Sequence, residues 1–358
     1  MVPCGPVRPV LGLDIGGSWT RALIVDPDSA ARLGAGRRAG ANPVTHGVAR
    51  ASAQISAALR EALADAAIPA GAIAACVVGL AGASKLAADP AAARAVEALW
   101  RDAGIGCEVE IVADVTTAFV AGCAEPDGSV LLAGTGAIAA AMTDRRPADL
   151  RGGHGWMLGD EGSGYWIGRE AVRATLTALD DGVPLTGLTA AVLAEQTAAD
   201  RAAAGGGPSD AAAARAPGPR TADFGLDEGR RLGALLIAAA NARPAVELAA
   251  LVPLVAQAAD RGDRTACGIL SAAAEHLVAT LARARAPQES APIVLAGGVL
   301  GPSTLVYRLV RAAVSEAWPK ARITPGVDGA AGAAWLAARR LLGDGPAAEL
   351  HAWLLPPG

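Results

Sequence analysis

Residues 10–26 read VLGLDIGGSWTRALIVD and predict two short strands joined by a glycine turn. Apolar residues alternate with small or polar ones before the turn, and an apolar run follows it. Paired glycines let the backbone bend where a Cβ would clash, so that their N–H groups can converge on an anion such as phosphate. The alternative is a plain β-hairpin whose turn happens to contain two glycines. This stretch alone leaves both interpretations open.

Asp14 is a carboxylate at the end of the first predicted strand, which is otherwise apolar. A charged side chain is rare at the end of a buried strand unless a cation meets it. Mg²⁺ carried by a nucleotide would meet that need, because it prefers oxygen ligands and retains several waters. Asp14 is therefore a candidate magnesium ligand.

Length and composition limit the class of protein. The 358 residues predict two domains. The net charge of −4 disfavours nucleic acid as the main partner. Apolar stretches of membrane-span length are interrupted by charge or proline, so no membrane span is expected. The five cysteines are scattered without metal-type spacing, which fits a reducing cytoplasm.

The order of predicted elements suggests an internal repeat. Apolar patterns predict β-β-β-α-β-α-β-α over the first 125 residues, and the order then begins again with strands at 130–133 and 137–142. Beyond that point the second half is predicted to differ. It is expected to be mainly helical, with an Ala/Gly/Pro-rich surface loop at 201–223. The result is an α/β protein with two similar halves.

Two further motifs extend the phosphate hypothesis. Gly134-Thr135-Gly136 repeats the glycine-plus-hydroxyl chemistry of the first turn, and two such turns could hold both ends of a triphosphate. Asp114 follows a predicted strand at 109–112, where α/β proteins place ligand groups. It is a candidate general base, and it is equally a candidate N-cap of the next helix.

Residues 152–166, GGHGWMLGDEGSGYW, carry the strongest functional signal. Such a loop can hold polar groups against a small ligand while an aromatic ring packs on the ligand's apolar face. Asp160 and Glu161 are candidate acceptors for sugar hydroxyls, and a purely structural glycine loop before a helix is the alternative. Gly297-Gly298 follows a predicted strand and would either let the backbone approach adenine or form a tight turn.

Together these motifs resemble the sugar-kinase, actin and heat-shock-chaperone superfamily of ATPases. Within it the sequence is similar to the N-acetylglucosamine kinases of the BadF/BadG/BcrA/BcrD ATPase family. The resemblance spans nearly the whole chain in the family's order, and its most specific run is 157–166. It implies two ribonuclease-H-like domains (the actin-like ATPase fold) with the active site in the cleft between them. The expected domains are 1–123 and 124–345, with a C-terminal helix at 346–358 joining the first.

The resemblance also implies roles for individual residues. Asp14 would hold Mg²⁺ through water, and Asp114 would take the proton from the sugar 6-hydroxyl. The nucleotide would contact Gly16, Gly17, Ser18, Thr20, Gly134, Thr135, Gly136, Gly297 and Gly298. The sugar would contact Asn42, Asp114, Gly136, Ala137, Gly155, Trp156, Asp160 and Glu161. His154 and Trp156 stand in the reverse of the family's frequent order, which leaves their sugar contacts open.

The implied function is ATP-dependent phosphorylation of N-acetylglucosamine in amino sugar salvage, by a cytoplasmic homodimer. Glucosamine, glucose, N-acetylmannosamine and N-acetylmuramic acid stay open as substrates. An ATPase that activates a partner enzyme is a second possibility, but it would need cysteines placed to ligate a shared iron–sulfur cluster. A sugar-responsive regulator would need a helix-turn-helix, for which residues 1–8 are expected to leave no room. Glucokinases of the repressor/open-reading-frame/kinase family carry a Cys-rich zinc motif that this sequence lacks.

Overall fold

The computed structural model of the chain describes residues 8–43, 47–185, 187–203 and 226–355. Its described part is a mixed α/β structure with two five-stranded sheets. The strands of sheet A are β1 (Val10–Ile15), β2 (Trp19–Val25), β3 (Arg32–Ala39), β4 (Ala75–Leu80) and β5 (Val109–Ala113). Those of sheet B are β6 (Gly128–Ala133), β7 (Ala137–Thr143), β8 (Arg146–Gly152), β9 (Ile293–Ala296) and β10 (Ile323–Gly326).

The two sheets have the same topology. Sheet A runs β3-β2-β1-β4-β5 and sheet B runs β10-β9-β6-β7-β8. In each, the first three strands form an antiparallel meander, and the fourth and fifth join in parallel. The sequence pattern does not predict β8, which completes the strand repeat. The predicted helical difference between the halves is confirmed, because five described α-helices lie between β8 and β9 and one lies between β3 and β4. β8 is polar and contains Pro147. Proline has no backbone N–H to donate, and an edge strand tolerates this because only one of its two sides pairs with another strand.

Helices follow the third, fourth and fifth strands of each half. They are α1 (Val48–Ala66), α2 (Ala83–Ala87), α3 (Pro90–Asp102), α4 (Asp114–Val120), α5 (Gly164–Asp180), α6 (Gly187–Ala203), α7 (Leu226–Asn241), α8 (Val252–Asp260), α9 (Arg264–Ala284), α10 (Leu305–Ala317), α11 (Gly329–Leu342) and α12 (Asp344–Leu354). The sequence pattern predicts one helix over 244–260, but the structure divides this stretch into a 3₁₀ segment, Ala245–Leu251, and α8. Pro253 accounts for the break, since proline fits only in the first turn of a helix.

Two helices fill the space between the sheets. α4 and α11 pack there with the inner faces of sheets A and B around Phe119 and Trp335. A Cβ added at Gly12 of β1 would overlap the carbonyl oxygen of Ala330, so the close approach of β1 and α11 requires glycine there. The chain is expected from its sequence to rejoin the first domain with a helix from residue 346. In the structure α11, which begins at residue 329, already packs on sheet A. The domain division at residues 123 and 124 stays a prediction.

The outer faces of the sheets are also covered. α1 and α3 pack on sheet A, and a larger helical layer that includes α5, α9 and α10 packs on sheet B. Within the described part, α9 alone has the length and apolarity of a membrane span, and α7 with Ala245–Asp260 meets that test only as a sharply bent pair. α9 lies against β6, β7 and β8 with Leu277 and Leu281 buried, as a core helix does. Residues 204–223 of the predicted loop and residues 1–7 and 356–358 lie outside the described residues.

Candidate active site

The two predicted phosphate turns meet. Ser18 Oγ, after β1, lies 2.7 Å from Thr135 Oγ1, after β6. A Cβ added at Gly17 would lie 2.9 Å from the same hydroxyl oxygen. The first N–H groups of α5 hold the second turn in place, since Gly164 N–H donates to the Gly134 carbonyl at 2.8 Å. The turns of the two hairpins are therefore in direct contact in the region between the two sheets, which we call the cleft.

Asp14 lies on the cleft face of sheet A. In the β1–β2 register it stands opposite Arg21, and Arg21 Nη1 donates to Asp14 Oδ2 at 3.3 Å. On its other side, a Cβ added at Gly329, the first residue of α11, would lie 2.8 Å from the Asp14 carboxylate. Burial raises the pKa of Asp14, and the Arg21 guanidinium opposes that shift.

Thr20 is a predicted phosphate contact, but its side chain points away from the cleft. It stands opposite Ile15 in the hairpin register and therefore shares the face of sheet A that packs on α1 and α3. Its hydroxyl is buried and makes no hydrogen bond with the described residues. Its backbone still belongs to the turn region.

Asp114 is the first residue of α4, one position after the N-cap, Ala113. Its Oδ1 accepts a hydrogen bond from the Val115 N–H at 3.0 Å, so the side chain also satisfies a helix-end donor. Burial, followed by the nearby negative charge of Asp14, raises the pKa of Asp114 to about 6. Such a carboxyl can accept and release a proton near neutral pH, as a general base must.

Asp160 ties the glycine-rich loop to the second turn. Its Oδ1 accepts a hydrogen bond from the Ala137 N–H at 3.3 Å, and the Gly155 N–H also bonds to the carboxylate. A Cβ added at Gly136 would lie 2.8 Å from Asp160 Oδ2. Burial raises the pKa of Asp160, and these backbone donors oppose the shift. The structure thus brings together four of the predicted sugar-site residues.

The rest of the loop presents aromatic and apolar surface. The Trp156 ring is 39% exposed and packs edge-to-face on Tyr165, with ring centroids 5.7 Å apart. Met157 and Leu158 are largely exposed, and so are His154 and Glu161. A partly exposed ring beside a buried carboxylate suits a ligand with one polar and one apolar face.

The remaining predicted contacts lie on opposite sides of the paired turns. Asn42 follows β3 and is half-buried, and the N–H of its neighbour Ala41 donates to the Gly16 carbonyl at 3.2 Å. Gly297 follows β9 with a φ of 96°, and an added Cβ there would overlap the Ala133 carbonyl. Gly298 faces open space. Asn42 and the glycine-rich loop thus follow the third strand of each half, whereas Gly297 and Gly298 follow a fourth strand.

Sequence reasoning missed Arg21 and Asp328 as neighbours of Asp14. Asp328 caps α11 by accepting the Ala331 N–H at 3.0 Å, and its charge adds to the upward shift in the pKa of Asp14. The hairpin register contains the signal for Arg21, because pairing Ile15 with Thr20 places Asp14 opposite Arg21.

Comparison with known families gives a match over most of the chain. A sequence model of the BadF/BadG/BcrA/BcrD ATPase family matches residues 11–337. An N-acetylmuramic acid/N-acetylglucosamine kinase from Clostridium acetobutylicum is 33% identical over 85 residues, which are 24% of this chain and 28% of that relative. The match to this curated relative therefore spans less than a third of its length.

Solved structures with the same fold cover nearly the whole chain. A proposed N-acetylglucosamine kinase from Chromobacterium violaceum has a TM-score of 0.64 at 24% identity, covering 92% of this chain and 99% of that one. Another from Porphyromonas gingivalis has a TM-score of 0.59 at 20% identity, covering 93% and 100%. A ROK family glucokinase from Streptomyces griseus, in complex with glucose and AMPPNP, has a TM-score of 0.53 at 19% identity, covering 92% and 99%. These likenesses confirm the predicted fold class.

Proposed function

Because the chain belongs to the BadF/BadG/BcrA/BcrD ATPase family, we propose that it is an ATP-dependent kinase of N-acetylglucosamine. The reaction transfers the γ-phosphoryl group of ATP to the sugar 6-hydroxyl and gives N-acetylglucosamine 6-phosphate and ADP. The observation that carries the proposal is the contact between the two glycine turns, at 2.7 Å between Ser18 and Thr135, with Asp14 beside it. Two turns that meet in this way can bind a phosphate chain from both sides.

ATP would lie across the paired turns. The Gly16 and Gly134 N–H groups close their own turns by donating to the Trp19 and Gly136 carbonyls. The remaining backbone of the two turns and the Ser18 and Thr135 hydroxyls would contact the phosphate chain, and Gly297 and Gly298 would lie beside the adenosine. The Asp14 carboxylate is half-buried and faces the cleft, and its oxygens are ligands that suit Mg²⁺. When bound there with the nucleotide, the ion would neutralise phosphate charge.

Asp114 would be the general base. Because the Val115 N–H holds Oδ1, we assign Oδ2 to the sugar hydroxyl. Oδ2 takes the hydroxyl proton as the hydroxyl oxygen forms a bond to the γ-phosphorus. The bond from that phosphorus to the oxygen bridging to the β-phosphorus breaks, and its electron pair leaves with ADP. The proton then passes from Asp114 to water.

The sugar would lie between Asn42 and the glycine-rich loop. Asp160, which the Ala137 and Gly155 N–H groups hold in place, would bind sugar hydroxyls together with backbone groups of Gly136, Ala137 and Gly155. Glu161 would lie at the exposed side. The Trp156 ring would pack on the apolar face of the sugar. The named substrates of the relatives from C. acetobutylicum, C. violaceum and P. gingivalis favour an N-acetylated amino sugar. Glucosamine, glucose and N-acetylmannosamine are the competing substrates.

The test is a coupled ADP-release assay over this panel of sugars, with N-acetylmuramic acid included, followed by NMR of the product to locate the phosphate. We expect N-acetylglucosamine to have the highest kcat/KM and the phosphate to be on its 6-oxygen. A higher kcat/KM for an unacetylated hexose would overturn the substrate assignment. ATP hydrolysis unaffected by every sugar would overturn the kinase assignment.

We also propose a cytoplasmic location and a homodimer, on the family resemblance and the scattered cysteines. Size-exclusion chromatography with light scattering at micromolar concentration measures the assembly directly. A mass near 35.4 kDa would identify a monomer and contradict the dimer.

A further inference from the structure

The chain has seven tryptophans, all of them among the described residues. Trp19, directly after the first glycine turn, is 44% exposed, and Trp156 in the glycine-rich loop is exposed to a similar degree. A third exposed ring is that of Trp353, near the end of α12. The others are buried: Trp100, Trp166, Trp318 and Trp335. Two of the three exposed tryptophans thus lie at the predicted site, and Trp19 has no role in the proposed reaction.

The Trp19 side chain points to the cleft. Successive side chains of a strand point to opposite faces of a sheet. The next residue, Thr20, faces α1 and α3. Trp19 therefore shares the other face of β2 with Leu23 and Val25, which pack between the two sheets. As the first residue of β2, it stands at the end of that face next to the glycine turn.

Trp19 also lies on the side of the paired turns that is predicted to hold the sugar. It pairs with Ala39, the last residue of β3, three positions before Asn42. In each sheet the first strand separates the second and third strands from the fourth. The glycine-rich loop follows the third strand of its half, whereas the predicted adenosine contacts follow a fourth strand. A ligand between Asn42 and the glycine-rich loop is therefore on the side of Trp19.

One face of the Trp19 ring is already occupied. The Arg37 guanidinium lies over it, 3.6 Å from the ring centroid, as in a cation–π contact. Arg37 is two residues before Ala39, the partner of Trp19, so the two side chains are diagonal neighbours on one face of the sheet. The exposed part of the ring is therefore its other face and its edges.

A pyranose suits two such rings. When its hydroxyl and acetamido groups are equatorial, as in N-acetylglucosamine, C–H groups point outwards from both faces of the sugar. This apolar surface packs well on an aromatic ring, which removes it from water. Trp156 belongs to the loop of one half and Trp19 to the hairpin of the other, so each half supplies one ring.

We propose that Trp19 is a second aromatic wall of the sugar site and packs on the sugar face opposite to the one that Trp156 covers. Arg37 holds the ring before the sugar arrives, so less side-chain freedom is lost on binding. Because Trp19 is assigned to the substrate of the proposed kinase reaction, this role rests on the proposed function. Sugar binding is therefore tested separately from turnover.

The first experiment is steady-state kinetics with N-acetylglucosamine, ATP and Mg²⁺. We expect Trp19→Ala to raise the sugar KM about tenfold, because it removes the apolar wall, with kcat reduced less than about threefold. The KM for ATP should change less than about twofold. Trp19→Phe keeps an aromatic ring and should stay within about threefold of the parent sugar KM. Arg37→Ala should add little to the effect of Trp19→Ala, because Arg37 acts through the ring.

The matched control is Trp353→Ala, at a ring that is 79% exposed. α12 packs at the end of α4 that is remote from the cleft, where His351 Nε2 lies 2.7 Å from the Val120 carbonyl oxygen. Loss of this ring should leave both KM values within about twofold of the parent.

The second experiment measures sugar binding without nucleotide, by acrylamide quenching of tryptophan fluorescence. In Trp156→Phe, the exposed tryptophans that remain are Trp19 and Trp353. Saturating N-acetylglucosamine should still protect this variant from quenching, because the sugar covers Trp19. In the double variant Trp19→Phe/Trp156→Phe the protection should disappear. If thermal unfolding shows that Trp19→Ala does not fold, this comparison of phenylalanine variants decides.

A parent-like sugar KM in Trp19→Ala, an equal loss in Trp353→Ala or a change confined to the KM for ATP would overturn the inference. So would the absence of sugar protection in Trp156→Phe. Failure of the proposed function gives a different pattern, since the parent protein would then phosphorylate no sugar. Protection of Trp19 by N-acetylglucosamine would still support the aromatic wall in that case. A parent protein that neither binds nor phosphorylates a sugar would overturn both.

Discussion

The two hairpins that open the two halves have similar backbones and opposite chemistry. In the first, the pair next to the turn is Ile15–Thr20, and the pair behind it is the charged Asp14–Arg21. In the second, the corresponding pairs are Ala133–Ala137 and the apolar Leu132–Ile138. Leu132 and Ile138 pack into the core between the sheets. The comparison indicates that one hairpin brings charge to the cleft, whereas the other supplies backbone and packing.

The helices that follow the fifth strands show the same asymmetry. An aspartate lies at the start of each helix: Asp114 is the first residue of α4, and Asp328 is the N-cap of α11. The Asp328 carboxylate accepts the Ala331 N–H at 3.0 Å and an Arg32 N–H at 2.9 Å, and so is held by structural contacts. The described hydrogen bonds of the Asp114 side chain come from the Val115 N–H and from its own backbone N–H, both at the helix start. Of the two, Asp114 is the better placed to exchange a proton with a substrate.

The largest expected effect comes from exchanging the base. Asp114→Asn should lower kcat by about 1,000-fold or more, because an amide cannot take the hydroxyl proton. ATP affinity should change less than about threefold, since Asp114 is assigned to the sugar. Steady-state kinetics and calorimetry measure both quantities.

The control for that variant is Asp328→Asn, at the corresponding helix start. An asparagine side chain still caps a helix, so this variant should keep kcat within about tenfold of the parent value. Near-normal turnover in Asp114→Asn, or equal losses in both variants, would remove the base assignment.

Variants in the second pair behind each turn, Asp14–Arg21 and Leu132–Ile138, should affect activity and stability separately. Asp14→Asn should lower kcat/KM for ATP about 100-fold at fixed Mg²⁺, with the midpoint of thermal unfolding nearly unchanged. Leu132→Ala should instead lower the free energy of unfolding by about 1–2 kcal/mol, because it removes part of a half-buried side chain. Its kcat/KM should stay near the parent value. The reverse pattern would contradict the division of labour between the hairpins.

The pH dependence of the reaction tests the environment of Asp114. Burial and the neighbouring Asp14 raise its pKa to about 6. The base works only when deprotonated, so kcat/KM for the sugar should rise about tenfold per pH unit below that value and level off above it. Measuring kcat/KM for the sugar from pH 4.5 to 8 in ~0.5-unit steps tests whether it rises in this way. A profile flat down to pH 4.5 would show that no base with a raised pKa limits the reaction.

Much of the fold follows from local pattern. Alternating and continuous apolar runs predict β1, β2, β4, β6 and β9. These strands are apolar because their side chains are buried in the two sheets, so the pattern is visible in the sequence. β8 cannot be predicted in this way, because Arg146, Pro147 and Asp149 leave it without an apolar face. Its place is set by pairing with β7 at the sheet edge, which is a non-local contact. The repeat is therefore more complete in the structure than in the sequence.

The site divides in the same way. The glycine turns, Asp14, Asp114 and the 152–166 loop can be found from motifs, because backbone approach and carboxylates leave local signatures. The direction of a side chain depends on register, and a shift of one residue moves it to the other face. Register explains why the Thr20 side chain points to the α1/α3 side and why Arg21 joins Asp14. The contact from Asp160 to Ala137 spans two elements and likewise needs the fold.

The smallest expected effect concerns the contact between the hairpins themselves. Ser18 Oγ and Thr135 Oγ1 share a hydrogen bond of 2.7 Å in a partly exposed setting, so its loss alone should cost little stability. Both hydroxyls should turn to phosphate oxygens when ATP binds. Ser18→Ala and Thr135→Val should therefore each raise the KM for ATP about three- to tenfold, with kcat reduced less and the sugar KM unchanged. If the turns act as one phosphate site, the double variant should lose less than the product of the single effects, because each hydroxyl partly positions the other. Independent effects would show that the two hairpins bind phosphate separately.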